Sequence, residues 1–180
     1  MPDWTATGLE GVVRTHVPTF ADSRGAFTEL WRASLTREVT DEAFVQSNRS
    51  RSAERVLRGM HFHRRQADLW VVSSGRALVA ACDLRAVGED GGSPTTELHE
   101  LASGDCIFLP RKVAHGFLAI EPMELIYFVT NEYDGSDELG FAWDDPEAGI
   151  AWPIDDPILS ERDTQNPPLR TVLSLEATAR

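Results

Sequence analysis

The sequence predicts an all-β fold, an antiparallel sandwich or barrel, and three features carry that prediction. Short apolar or alternating runs recur at close spacing, turn-forming clusters separate them, and no long segment of 3.6-residue period intervenes. The runs, each read as a strand, are Gly11–Val17, Ala26–Trp31, Ala43–Asn48, Val56–His63, Leu69–Ser74, Ala77–Leu84, Thr95–Leu101, Asp105–Leu109, Gly116–Ile120 and Glu124–Thr130. Asp22-Ser23-Arg24-Gly25, Ser73-Ser74-Gly75, Gly88-Glu89-Asp90-Gly91-Gly92-Ser93-Pro94 and Ser103-Gly104-Asp105 supply the turns. One short helix is expected over Ala33–Thr40, opened by Ser34, with Leu35 and Val39 on one side. The Pro- and Asp-rich stretch from Phe141 to Arg180 is expected to wrap the sheet as irregular chain ending in a short helix.

At 180 residues the chain suits a single domain spanning 1–180. Its composition, 42% apolar and 26% charged, excludes collagenous and wholly disordered chains. Acidic residues outnumber basic ones by 29 to 17, a net charge of −12, so the overall field repels phosphate backbones and anionic lipid. Nucleic acid and membrane are therefore not expected as partners, and a cytoplasmic location is expected because no signal-like start or bilayer-length apolar run occurs. Cys82 and Cys106 lie inside apolar stretches and read as buried thiols rather than a disulfide or zinc pair.

Arg58-Gly59-Met60-His61-Phe62-His63 is the densest chemical motif. Period two puts His61 and His63 on one face of a strand and Met60 and Phe62 on the other. The spacing continues to Asp68, Gly75, Gly104, Pro110 and His115, so His61, His63, Asp68 and His115 make up a ligand set suited to iron, manganese, nickel, cobalt or zinc. Tyr127 lies in a mostly apolar strand, where a buried phenol needs a partner. Asp163, in Ser160-Glu161-Arg162-Asp163, reads by itself as a helix cap or a solvated turn. Arg24, Arg58, Arg64, Arg65 and Lys112 are positive charges in an acidic chain, and an anionic substrate needs several of them together.

Several ordered motifs resemble the dTDP-4-dehydrorhamnose 3,5-epimerase family. They are Asp22-Ser23-Arg24-Gly25-Ala26-Phe27-Thr28-Glu29, Gln46-Ser47-Asn48, Val56–Phe62, Phe108-Leu109-Pro110 leading to Ala114-His115-Gly116-Phe117, Trp143-Asp144-Asp145-Pro146, Gly149–Pro153 and Pro157–Asp163. The resemblance, over roughly residues 8 to 170, implies a cupin-type antiparallel jelly roll with short peripheral helices. It further implies a homodimer that exchanges N-terminal strands and a dTDP-4-keto-6-deoxyhexose as substrate. A C4 ketone acidifies the protons at C3 and C5, so a base on one ring face and an acid on the other invert configuration through an enolate, with no cofactor. By resemblance His61 is the base, Asp163 the carboxylate that orients it and Tyr127 the acid. Arg24, Phe27, Glu29, Gln46, Asn48, Arg58, His115 and Tyr133 fall at substrate-binding positions.

The chain departs from the family at Gln66-Ala67-Asp68, where a lysine normally stabilises the enolate oxygen. A carboxylate about 4 Å from that oxyanion costs ~4 kcal/mol at an effective dielectric of about 20, around a thousandfold in rate. An epimerase of this sequence then needs compensation from Lys112, Arg64 or Arg65, or an Asp68 that is rotated away or protonated. The alternatives are a metal-dependent cupin isomerase or lyase, with ions held by His61, His63, Asp68 and His115, or a catalytically silent sugar-nucleotide binding protein.

Overall fold

The computed structural model describes residues 3–85, 87 and 92–178. Thirteen strands and three helices follow in chain order: β1 (Thr5–Ala6), β2 (Val13–His16), β3 (Thr19–Asp22), β4 (Gly25–Thr28), α1 (Ala33–Thr36), β5 (Gln46–Ser52), β6 (Leu57–Phe62), β7 (Asp68–Ser74), β8 (Arg76–Asp83), β9 (Thr95–Ala102), β10 (Asp105–Leu109), β11 (Val113–Ala119), β12 (Met123–Val129), β13 (Leu139–Gly140), α2 (Glu161–Thr164) and α3 (Leu169–Thr178). Two antiparallel sheets face each other, one ordered β1-β2-β10-β7-β12-β5 and the other β13-β6-β11-β8-β9, while β3 and β4 form a separate hairpin. This is the expected cupin-type jelly roll.

Strand alternation sorts the apolar residues into three layers. Val72, Ile107, Leu109 and Leu125 of the six-stranded sheet meet Val79, Ala81, Leu101 and Val113 of the five-stranded sheet between the two. Ala80, Cys82, Met60 and Phe62 point to the opposite face of the five-stranded sheet, where Phe141, Leu169 and Val172 of the C-terminal segment cover them. Leu69, Val71, Cys106 and Phe108 point out of the six-stranded sheet and are covered by Leu35, Trp31, Val39 and Phe44. The two buried, free cysteines thus lie under opposite outer layers.

Three local expectations need correction. The helix spans only Ala33–Thr36 and is preceded by Arg32 as its cap residue, not Ser34; the chain then turns, with the Val39 and Thr40 amides donating to the Thr36 carbonyl. β-Branched Thr36, Val39 and Thr40 disfavour further helix. The strand expected over Ala43–Asn48 runs instead from Gln46 to Ser52, the one expected over Ala26–Trp31 ends at Thr28, and the one expected over Gly116–Ile120 begins at Val113. The N-terminal β1, the β3 arm of the hairpin and β13 were not expected as strands. Of the turn expected over Gly88–Pro94, residues 88–91 lie outside the described residues.

Two glycines let β6 and β11 approach closely beside the site. A Cβ on Gly59 would sit 2.6 Å from the Gly116 Cα, and one on Gly116 would sit 2.8 Å from the Arg58 carbonyl oxygen. Gly59 also has φ of +137°, which L side chains rarely adopt. The register between these strands shifts from His115 to Phe117, so His115 pairs directly with His61.

Candidate active site

A cavity of about 480 Å³ opens between the two sheets, within the usual range for small-molecule sites. His61 on β6 and His115 and Phe117 on β11 line it from one sheet. Gln46, Asn48 and Ser50 on β5, Asp68 and Trp70 on β7, and Leu125, Tyr127 and Val129 on β12 line it from the other. On β5, β7 and β12 the lining residues alternate along the strand, as the pleat requires. The register sets Asn48 and Trp70 on either side of Tyr127. Trp70 packs edge-on against the rings of both His115 and Phe117, giving the cavity an apolar wall.

Asp163 reaches this cavity from α2, 102 residues away in sequence, and its Oδ1 lies 2.6 Å from His61 Nε2. Ser160 fixes the carboxylate: its hydroxyl donates to Asp163 Oδ2 at 2.8 Å and accepts from the Asp163 amide at 3.1 Å, so Ser160 is the cap of α2. Burial opposes ionisation of Asp163. The hydrogen bond and charge of His61, the Ser160 hydroxyl and Arg162 outweigh it and hold the carboxyl below its ordinary range. An ionised carboxylate only accepts, so Nε2 of His61 carries the hydrogen and Nδ1 of the neutral ring holds the lone pair.

Tyr127 stands on the sheet opposite His61. Burial, followed by the negative charges of Asp68 and Glu138, raises its phenol above the ordinary range, with Arg58 opposing. The group therefore keeps its proton through neutral pH. His115 is buried in the cavity wall, and burial drives it down to about 4 despite the nearby Asp68 carboxylate, so its ring is neutral. Asp68 is buried, accepting from Gln66 Nε2 at 2.8 Å on Oδ1 and from Trp70 Nε1 at 3.2 Å on Oδ2.

Of the residues singled out from sequence, His61, Tyr127, Asp163, Gln46, Asn48, Arg58, His115, Tyr133, His63 and Asp68 all line the cavity. Arg24, Phe27 and Glu29 do not: they belong to the β3–β4 hairpin and the segment after it. The four-residue metal set also needs correction. Donor atoms of His63, Asp68 and His115 lie within 4.8 Å of one another, and His61 is not part of that group. Among the proposed replacements for lysine, Arg65 lines the cavity, ion-paired with Asp134 and Asp137, and Lys112 does not line it.

Sequence reasoning missed Asp137, Glu138 and Arg162, which also line the cavity. Asp137 is buried; its carboxylate accepts from the Arg64 and Arg65 amides, and its carbonyl accepts from His63 Nδ1 at 2.9 Å. Arg162 pairs with Glu138. The acidic turn Asp134-Gly135-Ser136-Asp137 was the available sign, a type of segment that usually forms solvated loops.

Residues 6–171 match the family described as dTDP-4-dehydrorhamnose 3,5-epimerase. A dTDP-4-dehydrorhamnose 3,5-epimerase of Methanothermobacter thermautotrophicus is 36% identical over 171 residues, which cover 91% of this chain and 92% of that protein. Among solved structures, NovW, a 4-keto-6-deoxy sugar epimerase from the novobiocin biosynthetic gene cluster of Streptomyces spheroides, superimposes with a TM-score of 0.85 at 29% identity over 98% of this chain and 92% of its own. ChmJ, a 3'-monoepimerase from Streptomyces bikiniensis in complex with dTDP-quinovose, superimposes with a TM-score of 0.84 at 27% identity over 95% of this chain and 90% of its own.

Proposed function

The chain belongs to the dTDP-4-dehydrorhamnose 3,5-epimerase family, and from that premise we propose that it inverts C3, C5 or both of a dTDP-4-keto-6-deoxyhexose by proton removal and return. The observation that carries this reading is the His61–Asp163 pair, 2.6 Å apart on one side of the cavity, with the protonated Tyr127 on the other. His61 takes a proton from carbon beside the C4 ketone, and the electron pair moves onto the C4 oxygen. Asp163 stabilises the imidazolium that forms. Tyr127 delivers a proton to the opposite face, and solvent restores both groups. Arg58, held by donation to Ser52 Oγ and the Arg51 carbonyl, brings positive charge to the cavity for the diphosphate end of the substrate.

The test is to incubate the protein with dTDP-4-keto-6-deoxyglucose in deuterated water and locate the label by NMR. Deuterium at C3, at C5 or at both, with inverted configuration, is the expected result and identifies the carbons used. No label at either position overturns the reading.

The hairpin points to a homodimer. Phe20 and Phe27 are 63% and 66% exposed on an arm whose strands leave both main sheets, a poor use of aromatic surface in a monomer. In the dimer we read this arm as lying over the partner's cavity, adding Arg24, Phe27 and Glu29 to the substrate end. Arg24→Ala and His61→Asn proteins, each impaired alone, are then expected to regain about a quarter of wild-type activity per dimer when mixed and refolded together, because one cavity in a mixed dimer carries neither lesion. A mixture as inactive as its parents places the arm on its own subunit's cavity. We infer from the −12 charge that the overall field disfavours nucleic acid and anionic lipid as partners; among the described residues no helix is long and apolar enough to cross a membrane.

A further inference from the structure

We propose that His63, Asp68 and His115 bind one divalent transition-metal ion beside the base, leaving His61 free. The first support is convergence: one donor atom from each of the three residues lies within 4.8 Å of the other two, and Asp68 and His115 are almost wholly buried. An ion at about 2.1 Å from each donor sets neighbouring donors about 3.0–3.4 Å apart, so small side-chain rotations close the triangle.

The second support is how the donors are held. His63 Nδ1 bonds the Asp137 carbonyl at 2.9 Å, and His115 Nδ1 bonds the Val113 carbonyl at 3.0 Å. A carbonyl only accepts, so both Nδ1 atoms carry hydrogen and both Nε2 atoms present lone pairs. Backbone carbonyls fix metal-binding imidazoles in just this way. The carboxylate is steadied in turn by Gln66 and Trp70. His115 Nε2 and Asp68 Oδ2 are 3.9 Å apart, beyond a hydrogen bond, so the two are adjacent without satisfying each other. Two imidazole nitrogens and one carboxylate suit Zn²⁺, Mn²⁺, Fe²⁺, Co²⁺ or Ni²⁺ and leave coordination positions open.

The site also answers the missing lysine. Asp68 stands where the family places that cation, and a carboxylate there opposes an enolate unless it is itself neutralised. As a metal ligand it becomes part of a positive centre able to polarise the C4 oxygen while His61 removes the proton. This role rests on the epimerase reading; the binding site does not.

Protein purified without a histidine tag and stripped of metal is titrated with Zn²⁺ by calorimetry and with Co²⁺ by visible absorption. One equivalent should bind, with Co²⁺ d–d bands appearing. His63→Gln, chosen because His63 is only partly buried, should weaken binding at least about tenfold, whereas His61→Asn should retain it. Failure of the folded wild-type protein to bind either ion stoichiometrically overturns the site, and equal loss in both variants overturns the exclusion of His61. Deuterium wash-in that falls on stripping and returns with Zn²⁺ or Mn²⁺ supports the role at the C4 oxygen; unchanged wash-in removes that role. Absence of wash-in in the metal-loaded enzyme counts against the epimerase reading instead.

Discussion

His61→Asn is expected to abolish deuterium exchange from solvent into the substrate while leaving the fold and nucleotide affinity in place. Asparagine keeps a donor for Asp163 and fills much of the same volume, but it has no lone pair basic enough to take a carbon-bound proton. General bases contribute about 10²–10⁴-fold, and the loss should sit at the upper end because carbon acids depend on the base throughout the transition state. Asp163→Asn should have a smaller but still large effect, since it removes both the charge that stabilises the imidazolium and the acceptor that keeps the Nδ1 lone pair available. Wash-in at the wild-type rate in His61→Asn removes His61 as the base. NMR of C3 and C5 protons measures both variants in one assay, and circular dichroism checks that each is folded.

The strands around this pair were legible where burial and alternation agree. β8 alternates between two apolar layers, and Met60 and Phe62 turn to the C-terminal cover as period two requires. β5 was misplaced for the opposite reason. Its inward residues Gln46, Asn48 and Ser50 are polar because they line the cavity, while Arg49 and Arg51 face solvent, so no apolar repeat marks the strand. A strand that breaks the pattern at the site itself is where function overrides patterning.

The pairing of His61 with Asp163 had no local sign, because spacing cannot bring together residues on a strand and a distant helical turn; the family resemblance alone linked them. The metal spacing misled in a different way. It treated His61 and His63 as equivalent because they share a strand face. His61, however, lies opposite His115 on β11 and is engaged by Asp163, whereas His63 falls one residue beyond the end of β6, where the Asp137 carbonyl claims its Nδ1.

Tyr127→Phe should separate two events that His61→Asn stops together. Enolate formation needs the base and a stabilised C4 oxygen; inversion also needs a proton delivered from the other face. Tyr127 is suited to that delivery, since burial and the charges of Asp68 and Glu138 keep its hydroxyl protonated. With its titration displaced above 10, raising the pH from 7 to 9 should not cost the enzyme this donor. Phenylalanine preserves the ring that packs with the core between the sheets, so the variant should fold. Deuterium wash-in is expected to stay within about tenfold of wild type, while net epimerised product falls about 10²-fold or more. The enolate then returns by reprotonation from the His61 side, which labels the carbon with retained configuration. Label in the starting sugar without the inverted sugar is the diagnostic result. Equal loss of wash-in and inversion instead assigns Tyr127 to positioning the substrate, and unchanged inversion passes the donor role to another group on that face.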